Sequence, residues 1–138
     1  MRKLAALVLL VPALVSADAS RSVVSAGGKC AVTLPGDWTV TGAVAQSKDK
    51  KVSIAVAQPK AKSSFADLKA SLKQDVKDAK VIKDTDRELE LEGKAVDGKP
   101  NVYRAIVVDG AFCSAEARYD GAGGDVARGV VHTLAPGR

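Results

Sequence analysis

Cys30-Ala31-Val32-Thr33-Leu34-Pro35-Gly36-Asp37-Trp38 is the stretch on which the reading of the chain turns. Cys30, Val32 and Leu34 alternate with Lys29, Ala31 and Thr33, the period-two pattern of a half-buried strand. Pro35-Gly36-Asp37 ends that strand with turn chemistry, and Trp38, the only tryptophan, opens the next run. One strand therefore presents a thiol to the core at one end and a large aromatic just beyond its turn. The remaining elements are expected to pack around this piece.

Upstream of it, the chain reads as an export leader followed by a polar lead-in. Arg2 and Lys3 form a basic start, Leu4 to Val15 is an apolar run broken only by Pro12, and Ala17-Asp18-Ala19 offers small residues for a signal peptidase. The apolar run is shorter than the roughly 20 residues that a spanning helix needs. The expected organisation is a cleaved secretory signal over residues 1–19 and a single domain over residues 20–138. No Cys follows the apolar run, so no lipid attachment site of the bacterial lipoprotein kind is expected. Asp18 to Gly28 is small and polar and reads as an irregular lead-in. The formal net charge is +5 and loses one unit with Arg2, Lys3 and Asp18, a mild excess that permits attraction to anionic partners.

The chain has two cysteines, Cys30 and Cys113. In an exported domain such a pair is usually joined, and the loop it would close is long enough to stabilise by up to about 4.5 kcal/mol. A catalytic thiol and two free buried thiols are the competing readings.

Downstream, a second strand runs from Trp38 to about Val44, and Val52, Ile54 and Val56 alternate with Ser53, Ala55 and Ala57 in a third. One face of that third strand is apolar and the other small, so something could pack close to it. The period then changes. Ser64 to Asp67 resembles a capping box, and Phe65, Leu68, Leu72, Val76 and Ala79 share one side of a helix expected over Phe65 to Ala79. Val81 to Glu92 reads as a strand with Leu89 and Leu91 inward and Glu88, Glu90 and Glu92 outward. Asp109-Gly110 is a hairpin signal joining Asn101–Val108 to Ala111–Tyr119. Asp125 is placed to cap a last helix with a stripe of Val126, Val130, Val131 and Leu134. The expected fold is α+β: an antiparallel sheet of about six strands packed by two helices, in the order β-β-β-α-β-β-β-α.

Leu34-Pro35-Gly36-Asp37-Trp38 after a leader, followed by strand pairs, a helix opened by Ser64-Phe65, a late hairpin and a C-terminal helix, resembles the PsbP-like fold family. Members of that family are typically binding or assembly modules rather than enzymes. The resemblance carries over no shared set of functional residues.

Few groups offer chemistry. His132 is the single histidine, and without a second histidine or a Cys-x-x-Cys there are too few ligands for a zinc site. Cys113 with His132 would make a small thiol-dependent hydrolase only if the thiol were accessible and in an electropositive setting. Glu88, Glu90 and Glu92 lie about 7 Å apart along a strand, a spacing used in glycosidases and calcium sites, but an alternating acidic strand is more often solvated or paired with lysines. Gly121, Gly123 and Gly124 precede a helix without the lysine of a phosphate loop. The best candidate for contact with a partner is a set of lysines: Lys69, Lys73 and Lys77 along one helix flank, Lys80 close by, and Lys60 and Lys62 in the preceding loop. Alternatively, these lysines simply cover the core edge with their stems. Nucleic acid is not expected, because aromatics do not interleave with the lysines. The reading is an exported, non-enzymatic binding or accessory module of the periplasm or cell exterior, with no cofactor, no metal and no integral membrane segment. It would meet an acidic partner surface or an anionic envelope component. A structural envelope protein that self-associates through a strand edge is the remaining alternative.

Overall fold

The computed structural model describes residues 20–24, 28–59 and 64–136. The expected leader and the lysines Lys60 and Lys62 lie outside them. The described part is α+β, with two helices, a seven-stranded sheet and a three-stranded sheet.

The deciding strand forms as its alternation predicts. It is β2, Cys30–Pro35, with Cys30, Val32 and Leu34 buried. Its neighbours differ from the expectation. Within the polar lead-in, Ser20–Val24 is not irregular: it forms β1 and pairs antiparallel with β2, setting Val23 opposite Val32. Pairing satisfies the backbone groups along that edge of β2, and Val23 is fully buried, which local polarity could not show. The expected strand from Trp38 to Val44 is two short strands, β3 (Thr39–Thr41) and β4 (Val44–Gln46), folded back at Gly42. Gly42 has φ +61, a backbone conformation that glycine adopts without steric cost.

Strand β5 (Val52–Ala57) is followed by helix α1 (Phe65–Asp75). Ser64 caps α1 as expected, its side chain accepting from the Asp67 N–H at 3.1 Å. The helix ends at Asp75 rather than Ala79. Lys77–Asp84 is a strand, β6, pairing with β7 (Glu88–Lys94), so the segment Val81 to Glu92 is a hairpin and not one strand. Tertiary pairing overrides the helical period here. Gly93 permits the close crossing: a Cβ there would lie 2.5 Å from the Lys77 carbonyl oxygen and 2.6 Å from Val76 Cγ1.

Strands β8 (Pro100–Val108) and β9 (Ala111–Tyr119) form the predicted hairpin, with positive φ at both Asp109 and Gly110. A turn of 3₁₀ helix (Gly121–Gly123) leads into helix α2 (Gly124–Val131), which has no side-chain N-cap, so Asp125 does not cap it. The chain then adds β10 (Ala135–Pro136) to β2.

The large sheet runs β3-β4-β5-β9-β8-β7-β6, antiparallel throughout. Its two faces are covered by different elements. Val52, Ile54 and Val56, with Cys113, Ala115 and Ala117, pack against β2 and against Ala127, Val130 and Val131 of α2. On the opposite face, Leu89, Leu91, Ala105 and Phe112 pack against Phe65 and Leu72 of α1. A disulfide between Cys30 and Cys113, with Cα atoms 5.5 Å apart, joins β2 to β9.

Candidate functional site

The predicted lysines do not form one helical stripe. Lys69 and Lys73, a turn apart on α1, converge on Asp84 at the end of β6, their Nζ atoms 2.6 Å from its two carboxylate oxygens. Lys69 also donates to the Thr85 carbonyl and lies 5.6 Å from the Phe65 ring centroid. The hydrogen bonds from Lys69 and then Lys73 hold the Asp84 carboxyl below its ordinary range. This pair of contacts ties α1 to β6. Lys77 and Lys80 belong to β6 itself, opposite Lys94 and Glu92. Neither Lys77 nor Lys80 forms an ion pair among the described residues, and all eight residues of β6 are exposed. Val81 and Ile82 are nearly half exposed on the same strand. The resulting surface is a lysine-bearing outer edge of the large sheet, with Lys69 and Lys73 behind it on one face.

Strand edges of this kind expose unpaired backbone groups. Here the edge carries the features that limit indiscriminate pairing: lysines, and register irregularities between Lys77 and Lys80 and between Val81 and Lys83.

The glutamate row does not face solvent. Register places Glu88, Glu90 and Glu92 on the face covered by α2, and Glu90 is only 5 % exposed. Each carboxylate meets a cation or a histidine. Arg104 Nε donates to Glu88 at 2.7 Å and Lys83 lies 3.0 Å from it; Arg128 Nε donates to Glu92 at 2.8 Å. The His132 Nε2 lies 2.9 and 3.0 Å from the two Glu90 oxygens. Burial pushes the Glu88 carboxyl up, but the hydrogen bonds from Arg104 and Lys83 outweigh it and leave the group below its ordinary value. Arg104 Nη1 reaches on to the carbonyls of His132 and Leu134, at 3.2 and 3.1 Å. A cation at the C-terminal end of a helix is favourable both to those carbonyls and to the helix dipole. The row thus fastens α2 to the sheet. Sequence alternation correctly placed the leucines inward, but it could not show that α2 would cover the glutamates or that Arg104 and Arg128 would be their partners.

The thiol-hydrolase alternative loses its nucleophile. Cys113 is 1 % exposed and bonded to Cys30, while His132 is engaged by Glu90. Among the described residues, no group of three or more His, Cys, Asp or Glu is arranged to hold a metal, and no helix is long and apolar enough to cross a membrane.

No family model matches the sequence, and no curated protein matches it. Among solved structures, the chain is similar to the solution structure of cyanobacterial PsbP from Synechocystis sp. PCC 6803, at 11% identity, covering 86% of this chain and 93% of that one, with a TM-score of 0.48. The PsbP-like resemblance is therefore a weak resemblance of fold.

Proposed function

We propose that the protein is an exported, non-enzymatic binding or accessory module of the bacterial periplasm or cell exterior, whose leader over residues 1–19 is removed. Its contact surface is the edge formed by β6, with Lys77 and Lys80 outermost and Lys69 and Lys73 behind them, and Lys60 and Lys62 are further proposed contacts. It meets an acidic protein surface or an anionic envelope polymer. The observation that carries this reading is strand β6: exposed along its full length, open at the sheet edge, and bearing Lys77 and Lys80, which have no ion-pair partner among the described residues. The disulfide supports an oxidising compartment.

Complementary charge would speed encounter with an acidic partner and make binding salt-dependent.

The test is sedimentation of the purified protein with poly-L-glutamate-coated beads and with vesicles of anionic lipid, against neutral controls. Wild type is expected to bind one of the anionic surfaces and to be released by salt; Lys77→Glu with Lys80→Glu is expected to abolish that binding. Equal binding of the double variant would remove β6 from the proposal.

A further inference from the structure

A second feature lies at the opposite edge of the large sheet. Three loops meet around a hollow of about 690 Å³: the turn from β2 to β3, the turn from β4 to β5, and the start of α2. This volume falls within the range of small-molecule sites, which are mostly apolar with a few placed polar groups. Pro35 and Val126 are the exposed apolar residues of the lining, with Trp38 and Val52, 6% and 3% exposed, at its base. Val126 is unusual for its helix. The sequence places it in the buried stripe, yet it is 44% exposed and faces this hollow while Ala127, Val130 and Val131 fill the core.

The wall between β5 and α2 depends on one glycine. A Cβ on Gly123 would lie 2.9 Å from Val52 Cγ2 and 3.3 Å from the Lys51 carbonyl oxygen, so a larger residue would push the loop away from the strand. The opposite wall is a braced turn. Asp49 Oδ1 accepts from the Ser47 hydroxyl at 2.7 Å and from the Lys51 N–H at 3.0 Å, and the Val52 N–H donates to Ser47 Oγ at 3.0 Å. The Lys51 N–H, followed by the Ser47 hydroxyl, holds the Asp49 carboxyl below its ordinary range. Asp49 is thus committed to its own loop, with the Lys51 charge beside it.

Three charged groups on the rim form no ion pair among the described residues: Asp37 from the β2–β3 turn, and Lys48 and Lys51 from the β4–β5 turn. The rim therefore offers an anion on one loop and cations on the opposite loop, with an apolar floor between them. A simple anion or a simple cation would meet only one of the two signs. From this complementarity, we propose that the hollow binds a small zwitterion with an apolar body, of the kind presented by a free apolar dipeptide. Its ammonium end lies at Asp37, its carboxylate at Lys48, and its apolar part on Trp38, Val52 and Val126.

Trp38 is the only tryptophan, so the protein has a single indole N–H signal in a ¹H–¹⁵N spectrum, from a residue that lines the site. The probes are leucyl-leucine, its N-acetylated form and its C-terminal amide. Leucyl-leucine is expected to move the indole signal saturably. Each blocked form should bind about two- to five-fold more weakly, the range for one partly exposed ion pair. Asp37→Asn should weaken leucyl-leucine but leave the acetylated form unchanged, and Lys48→Gln should weaken leucyl-leucine but leave the amide unchanged. Both residues are exposed, so neither substitution threatens folding. The proposal is overturned by the absence of a saturable shift, by equal affinity for all three probes, or by variants that weaken the three alike.

Discussion

On one face of the large sheet, α2 and the β1–β2–β10 sheet are held by a disulfide, by a row of glutamates paired with Arg104, Arg128 and His132, and by a core running from Val23 to Leu134. On the other face, an 11-residue helix rests on a smaller apolar cluster and is tied to the sheet edge through Asp84. The first face brings together residues from both ends of the described chain and fastens them with covalent and buried polar contacts. The second uses neighbours in sequence, α1 and the β6–β7 hairpin, and leaves β6 exposed. The contrast separates a scaffold from the side that carries the proposed contact edge.

Removing the disulfide tests the scaffold most severely. Cys30→Ala with Cys113→Ala, or reduction, is expected to cost up to about 4.5 kcal/mol, read as a fall in the thermal midpoint by circular dichroism. An unchanged midpoint would break the claim that the β2–β9 link organises this face. Leu91→Ala, at a fully buried position beneath α1, is expected to cost about 3 kcal/mol in urea unfolding. A loss below about 1 kcal/mol would mean that the smaller cluster barely contributes.

Arg104→Ala probes the glutamate row. It would leave the mostly buried Glu88 with Lys83 alone and uncap the α2 carbonyls, at an expected cost of about 2 kcal/mol near neutral pH. Its pH dependence follows from the depressed Glu88 carboxyl. A carboxyl held below its ordinary value of 4.5 stabilises the fold above that pH, and the contribution is lost as pH falls through the folded value. Wild type should therefore lose stability on acidification below about pH 4.5, and Arg104→Ala should lose less over the same window. Parallel curves for the two proteins would refute the assignment. The smallest effect is expected at the edge: Lys77→Ser with Lys80→Ser should change unfolding free energy by less than about 0.5 kcal/mol while weakening anionic binding.

Much of this arrangement was legible in residue patterns. The alternation of Cys30, Val32 and Leu34, the cap at Ser64 and the Asp109-Gly110 turn all report local geometry, and each formed as read. The α+β class and the Cys30–Cys113 bond followed from the same patterns together with the cysteine count. Several of the misreadings share one cause: pairing or packing with another element decided the outcome. Val76 and Ala79 continue the helical period, but β7 recruits Lys77–Asp84 as a strand. Glu88, Glu90 and Glu92 have the alternation of an exposed face, but α2 arrives to cover them. Ser20–Val24 is polar apart from its valines, yet β2 has an edge to be satisfied. Among the lysines, sequence found the residue type but not the geometry, because the helix end at Asp75 moves Lys77 and Lys80 onto the strand edge.

The most direct test of the division between scaffold and contact edge is a residue-resolved map of amide shifts as poly-L-glutamate is added. Salt-reversible shifts are expected, concentrated in β6 and the facing turn of α1, with β2, β9 and α2 unmoved. Shifts centred on α2 or on the Ser47–Lys51 turn, with β6 silent, would contradict that division.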